Sequence, residues 1–195
     1  MASPSFEIML GRARHPLVLA LDVGSTASRG AIYDANGSPV RPRAKVPHAF
    51  TTRADGTSII DPDQIVREVT QLIDQLVDLT VGHPVAAVSL DTFASSLVGV
   101  DAQGAAVTPC FNYNDNRCAD EVALLRAEVD EDRIQALTGC RFHASYLPAR
   151  LRWLARTEPA TVATVTRWMS LGEYVWLRLL GDTAAGTSVA AWGGL

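Results

Sequence analysis

The feature that most constrains this chain lies near its start. Two apolar runs, residues 17–23 (LVLALDV) and 28–34, are joined by a short Gly/Ser/Thr turn, and the second ends in another turn, Ala35-Asn36-Gly37. Apolar runs of this length, punctuated by turn residues, read as strands folding back on each other. A third extended stretch from about residue 40 to 51 continues the meander. Asp61 then caps a helix, with Pro62 at the first helical position and Gln64 three residues after the cap. Within that helix Ile65, Val69, Leu72 and Leu76 fall on one stripe, widened by Val66, Ile73 and Val77, which is the face of a helix lying on a sheet. Residues 85–90 read as a buried strand and 96–100 as another, closed by the turn Asp101-Ala102-Gln103-Gly104. The order β-β-β-α-β-β predicts an α/β domain on a mixed sheet of five strands.

After Pro109 the pattern becomes helical, over residues 117–129, 131–137, 148–156 and 172–180, with a strand-like stretch at 167–170. The second half is therefore expected to be an α-rich insertion. There is no internal repeat or linker, so residues 16–195 read as one folding unit behind a flexible tail at 1–15. The final stretch, GTSVAAWGGL at 186–195, stops in small and apolar residues and reads as the end of a fragment.

Composition narrows the partners. With 48% hydrophobic residues the chain can bury a core, and a net charge of -4 without a Lys/Arg block gives no footprint for nucleic acid or an anionic membrane. A small diffusible ligand fits better. Cys110, Cys118 and Cys140 are odd in number and in no metal-ligand spacing, which points to reduced thiols and the cytoplasm. No segment has the roughly 20 apolar residues of a membrane span, and no signal peptide opens the chain.

The chemistry is concentrated in Asp22-Val23-Gly24-Ser25-Thr26-Ala27-Ser28-Arg29. A turn of Gly24 and small hydroxyl residues offers backbone N–H groups and hydroxyls to an anion, and Asp22 at the strand end can hold a metal ion. A plain hairpin between strands is an equally good reading of the spacing alone. Arg29 divides in the same way between phosphate contact and an ordinary ion pair.

The segment D-x-G-[ST]-T-x-S-R, followed by an apolar strand and Asp34, resembles the first phosphate-binding segment shared by sugar kinases, heat-shock chaperones and actin. Three further stretches resemble the FGGY carbohydrate kinases, and among them most closely the gluconate and xylulose kinases. They are residues 88–101 (VSLDTFASSLVGVD), the YNDNR of 113–117 against the family's W-x-D-x-R, and 138–154 (TGCRFHASYLPARLRWL), followed by GEY at 172–174. The resemblance implies a ribonuclease H-like, actin-like ATPase domain that works with ATP and Mg2+ on a sugar, sugar acid or polyol. It assigns Asp22 to the metal shell, usually through water, and Gly24, Ser25, Thr26 and Arg29 to phosphate. Asp91, Ser95, Asp115 and His143 fall to the acceptor, although Asp115 reads equally well as a turn with an internal ion pair to Arg117.

The departures bear on substrate choice. Ala94-Ser95 stands where many relatives carry larger side chains, and Tyr113 replaces Trp, so no particular acceptor is implied. No catalytic base is assigned, because the family's base and most of its adenosine site fall beyond the equivalent of Leu195, in a missing C-terminal kinase domain. Trp153, Trp168, Tyr174 and Trp176 read as core. The same strand order with Asp22, Asp91 and Asp115 would also suit a metal-dependent nuclease, and a non-catalytic sugar-binding module stays open, as does a homodimer.

Overall fold

The computed structural model describes residues 7–193. Its first half holds strands β1 (Leu17–Val23), β2 (Ala27–Tyr33), β3 (Pro39–Pro47), β4 (Thr51–Thr52) and β5 (Ser58–Ile60), then helix α1 (Pro62–Asp78), β6 (Val85–Thr92) and β7 (Val98–Val100). The second half adds β8 (Cys110–Phe111), α2 (Ala119–Glu128), α3 (Glu131–Thr138), α4 (Leu147–Thr157), α5 (Pro159–Val162), β9 (Arg167–Met169), α6 (Leu171–Leu180) and α7 (Thr187–Trp192). These elements fall into two compact units. One takes in residues up to Ala49 together with Ile65–Thr92, and the other Phe50–Gln64 with everything from Phe93 onward.

The first unit is a mixed sheet in the order β3-β2-β1-β6, with β1 antiparallel to β2 and parallel to β6. Along β1 the period of two puts Leu17, Leu19, Leu21 and Val23 in the core and leaves Asp22 exposed. On the stripe of α1 Ile65, Val69, Leu72 and Leu76 are all buried and Val66 and Ile73 are half-buried, whereas Val77, expected to widen the stripe, is exposed at the end of the helix. Helix and sheet approach closely at Gly30, where an added Cβ would lie 2.5 Å from Leu76 Cδ1 and 3.4 Å from Leu21 Cδ2. Because those side chains are themselves enclosed, Gly30→Ala should destabilise the chain by about 1–3 kcal/mol through overpacking. Chemical denaturation measures this, and an unchanged midpoint would mean the helix can lift off the sheet freely.

The sheet differs from expectation in three places. It has four strands among the described residues, not five. The third strand stops at Pro47, and Thr51–Thr52 forms the separate β4, paired with β5. The strand beginning at Val85 is an edge strand, so Ala86, Ala87, Val88 and Ser89 are exposed where a buried strand was expected. Of the tail expected over residues 1–15, residues 1–6 lie outside the described residues. Ile8 bridges to Val40, and Glu7 accepts from Arg41 and Arg43.

The second unit carries the antiparallel sheet β4-β5-β8 and the pair β7-β9. The strands β5 and β8 are two or three residues long, and their register, Ile59↔Phe111, brings together positions far apart in sequence. Leu97, Phe111, Cys118, Ala149, Trp153 and Leu154 form its core, so Trp153 packs as its spacing predicts. Burial raises the thiol of Cys110 to about 12, which makes it an inert apolar filler. Ser170 and Glu173 close a reciprocal capping box at the start of α6, and Gly181 ends that helix in the left-handed conformation. No helix among the described residues is long and apolar enough to cross a membrane.

Candidate active site

The Gly24–Thr26 turn sits in the first unit at the C-terminal end of β1. It is closed by a hydrogen bond from Gly24 N–H to the Ala27 carbonyl at 3.0 Å, and Ser25 and Thr26 are exposed. A Cβ at Gly24 would come within 2.7 Å of Arg29 Nη1, so a larger residue there would displace the tip of that side chain from the turn. That guanidinium lies over the turn, donating to Asp22 Oδ2 at 3.1 Å and reaching Thr26 Oγ1 at 3.4 Å. Both partners of the ion pair are about half exposed, so it contributes little to stability and can exchange partners readily.

The parallel pairing of β1 with β6 sets Asp22 directly beside Asp91. Residues in register on adjacent strands project from the same face, so two carboxylates stand side by side at the strand ends. Asp91 Oδ1 accepts the N–H of Thr92, and the residue is exposed. Two carboxylates on one face form a negative patch, against which a cation or a hydroxyl donor is favoured. Asp34, the last residue of the sequence pattern, has another task. Its carboxylate accepts the N–H groups of Asn36, Ser38 and Arg14 and ties off the hairpin. The Ser38 bond is the main reason its carboxyl is held below the ordinary value.

The remaining assigned residues belong to the second unit. Asp115 is buried, and its carboxylate accepts a fork of bonds from Arg117 Nε and Nη2, the shorter at 2.7 Å, together with the Ser58 N–H at 3.0 Å. Arg117 in turn stacks on Trp153, 4.6 Å from the ring centroid. Of the two readings open for Asp115, this geometry suits the internal ion pair. His143 is exposed, with Nδ1 accepting from Ser145 N–H and the ring edge-on to Tyr146. Ser145 Oγ donates to the Tyr113 carbonyl, joining the two loops. Ser95 is the one non-glycine among the described residues with positive φ, at 53°.

These three loops converge on a side chain that the sequence reading passed over. Arg150, on α4 and 1% exposed, donates to the carbonyls of Ser95, Asn112 and Asp115 at 3.3, 2.8 and 3.2 Å, and reaches that of Ala144 at 3.5 Å. Burial pulls its pKa down from the usual arginine value. The guanidinium thus fixes the backbone on which Ser95, Asp115 and His143 are carried. Its position on the apolar stripe of α4, with Leu147 and Leu154, is the signal that could have found it.

Residues 17–194 match the profile of the FGGY family of carbohydrate kinases, N-terminal domain. A gluconokinase of Bacillus subtilis (strain 168) is 21% identical over 177 residues, covering 89% of this chain and 34% of its own length. The crystal structure of xylulose kinase from Rhodospirillum rubrum superimposes with a TM-score of 0.87 at 26% identity, over 92% of this chain and 37% of that one. The gluconate kinase from Lactobacillus acidophilus gives 0.82 at 26% identity, over 91% and 36%. The chain therefore spans about a third of the length of the relatives it matches.

Proposed function

The chain belongs to the FGGY family of carbohydrate kinases, and from that premise we propose that it is the N-terminal, acceptor-binding part of an enzyme that transfers the γ-phosphoryl group of ATP to a hydroxyl of a sugar, sugar acid or polyol. The fold is read as ribonuclease H-like, of the actin-like ATPase kind, with residues 16–195 as one domain. The rest of the nucleotide site and the general base belong to a second domain in a longer chain. The setting is cytoplasmic.

The observation that carries this reading is the shared strand end: an open Gly/Ser/Thr turn and two in-register carboxylates on β1 and β6. Magnesium-bound ATP would supply the transferable group and the positive charge that offsets its oxygens. The residues present suit it. Asp22 is open enough to take a metal ion through water, while Gly24, Ser25 and Thr26 offer N–H and hydroxyl donors to phosphate. Arg29, already over the turn, can leave Asp22 for a phosphate oxygen when the metal takes the carboxylate. Asp91 holds an acceptor hydroxyl. The family resemblance also assigns Ser95 and His143 to the acceptor, and Ala94 and Ser95 are small side chains for that role. A nuclease with Asp22, Asp91 and Asp115 around one metal is disfavoured by the net negative charge and by Asp115, whose carboxylate is taken by Arg117 and Ser58.

Asp91→Ala in the full-length enzyme tests the acceptor role. The expected result is a 5–150-fold rise in acceptor KM, about 1–3 kcal/mol for a polar partner left unmatched, with the ATP constant within twofold. A rise in the ATP or magnesium constant alone would move Asp91 into the metal shell beside Asp22. No change in either would place it outside the site.

A further inference from the structure

Behind the phosphate turn lies a buried polar network that the reading above does not use. The side chain of His48, just past β3, is fully enclosed, and Glu68 on α1 is nearly so. His48 Nε2 lies 2.9 Å from the Gly24 carbonyl and Nδ1 lies 2.8 Å from Glu68 Oε2. A carbonyl oxygen only accepts, so Nε2 carries the proton of that bond. The same Glu68 oxygen accepts from Ser28 Oγ at 2.7 Å, and the backbone N–H of His48 donates to the Thr26 carbonyl at 3.1 Å. One residue therefore grips two carbonyls of the turn, and a helix carboxylate orients its ring.

The consequence follows from peptide geometry. In a planar trans peptide the C=O and the following N–H point in opposite directions. Drawing the Gly24 carbonyl inward to His48 thus turns the Ser25 N–H outward, to the exposed side of the turn where Ser25 and Thr26 lie. Without the imidazole that peptide is free to flip, and a flipped peptide presents an oxygen to an incoming anion.

We propose that His48, oriented by Glu68, is a positioning residue that holds the Gly24–Thr26 turn with its amides directed at the phosphate. The inference rests on the phosphate-binding reading of that turn. It concerns a cost met as charge develops on the transferred group, so it falls on turnover and not on acceptor binding.

The test is steady-state kinetics on the full-length enzyme that carries this domain, with thermal unfolding recorded for every variant. His48→Gln should lower kcat about 10–100-fold and leave the acceptor KM within twofold. Glu68→Leu, which frees the ring while keeping an apolar volume on α1, should do the same. The double variant should be no worse than either single one, because both remove one device. Glu68→Gln keeps an acceptor against Nδ1 and should stay within about threefold of wild type. If His48→Gln does not fold, the contrast between Glu68→Leu and Glu68→Gln carries the test. Turnover of His48→Gln or Glu68→Leu within threefold of wild type would overturn the proposal, as would losses that multiply in the double variant or a matching rise in acceptor KM. If Asp22→Asn also keeps full turnover, the phosphate reading of the turn has failed and not merely the role of His48.

Discussion

Arg150→Met is expected to lower the unfolding free energy of the chain by on the order of 4 kcal/mol, more than any surface change could. Methionine keeps most of the apolar volume, so the loss isolates the hydrogen bonds. The guanidinium donates to the carbonyls of Ser95, Asn112 and Asp115, and removing it takes a charged donor from each, leaving Asn112 with the Asp115 N–H. Each charged hydrogen bond lost in this way costs about 1–3 kcal/mol, less whatever another donor or water restores. Arg150→Lys should recover part of the loss, because an ammonium can serve one or two of the oxygens but not the whole fork. Urea unfolding followed by circular dichroism gives both numbers. A loss below about 1 kcal/mol for the methionine variant would mean the three loops hold their positions without Arg150.

Arg150 and Glu68 show where the sequence was hard to read. The stripe of α1 was legible because Ile65, Val69, Leu72 and Leu76 repeat at helical spacing. The strands β1 and β2 were legible because an apolar run broken by Gly24, Ser25 and Thr26 has few other ways to fold. Yet Glu68 sits on the same buried face, beside Val69, and Arg150 sits on the face of α4 with Leu154. A charged residue on an apolar stripe must have a partner, so the stripe itself predicts that one exists. It does not say which, because the partner comes from another element. His48 reaches Glu68 across 20 residues, and Arg150 reaches Ser95 across 55.

The short strands failed for a related reason. In β4, β5 and β8 no run is long enough to show a period, and Ser58 follows the turn residues Asp55, Gly56 and Thr57. Their pairing is fixed by contacts such as Asp115 with the Ser58 N–H, which no local pattern carries. The exposure of β6 was missed because Val85, Ala86, Ala87 and Val88 are apolar whether or not a neighbouring strand covers them. In the candidate site, the turn and Asp91 could be named from sequence. That Asp22 and Asp91 stand in register could not, since it depends on how the parallel strand after α1 is aligned.

The second large effect is expected at Asp22, at the end of β1 beside the Gly24–Thr26 turn. Asparagine keeps the size and one acceptor oxygen but removes the charge that would hold a metal ion against the transferring phosphate. An interaction that matters chiefly in the transition state lowers kcat and leaves substrate binding nearly alone. Asp22 also pairs with Arg29, but that pair is about half exposed, so its loss should not disturb folding. The decisive measurement is acceptor-dependent ADP release by the full-length protein across a panel of sugars, sugar acids and polyols, for wild type and Asp22→Asn, with the 195-residue chain alone as control. Release is expected with at least one acceptor, with a fall of about 100-fold or more in kcat for Asp22→Asn, acceptor KM within threefold, and no turnover by the isolated chain. Release that needs no acceptor, turnover undiminished in Asp22→Asn, or sustained phosphorylation by the isolated chain would contradict the proposed function.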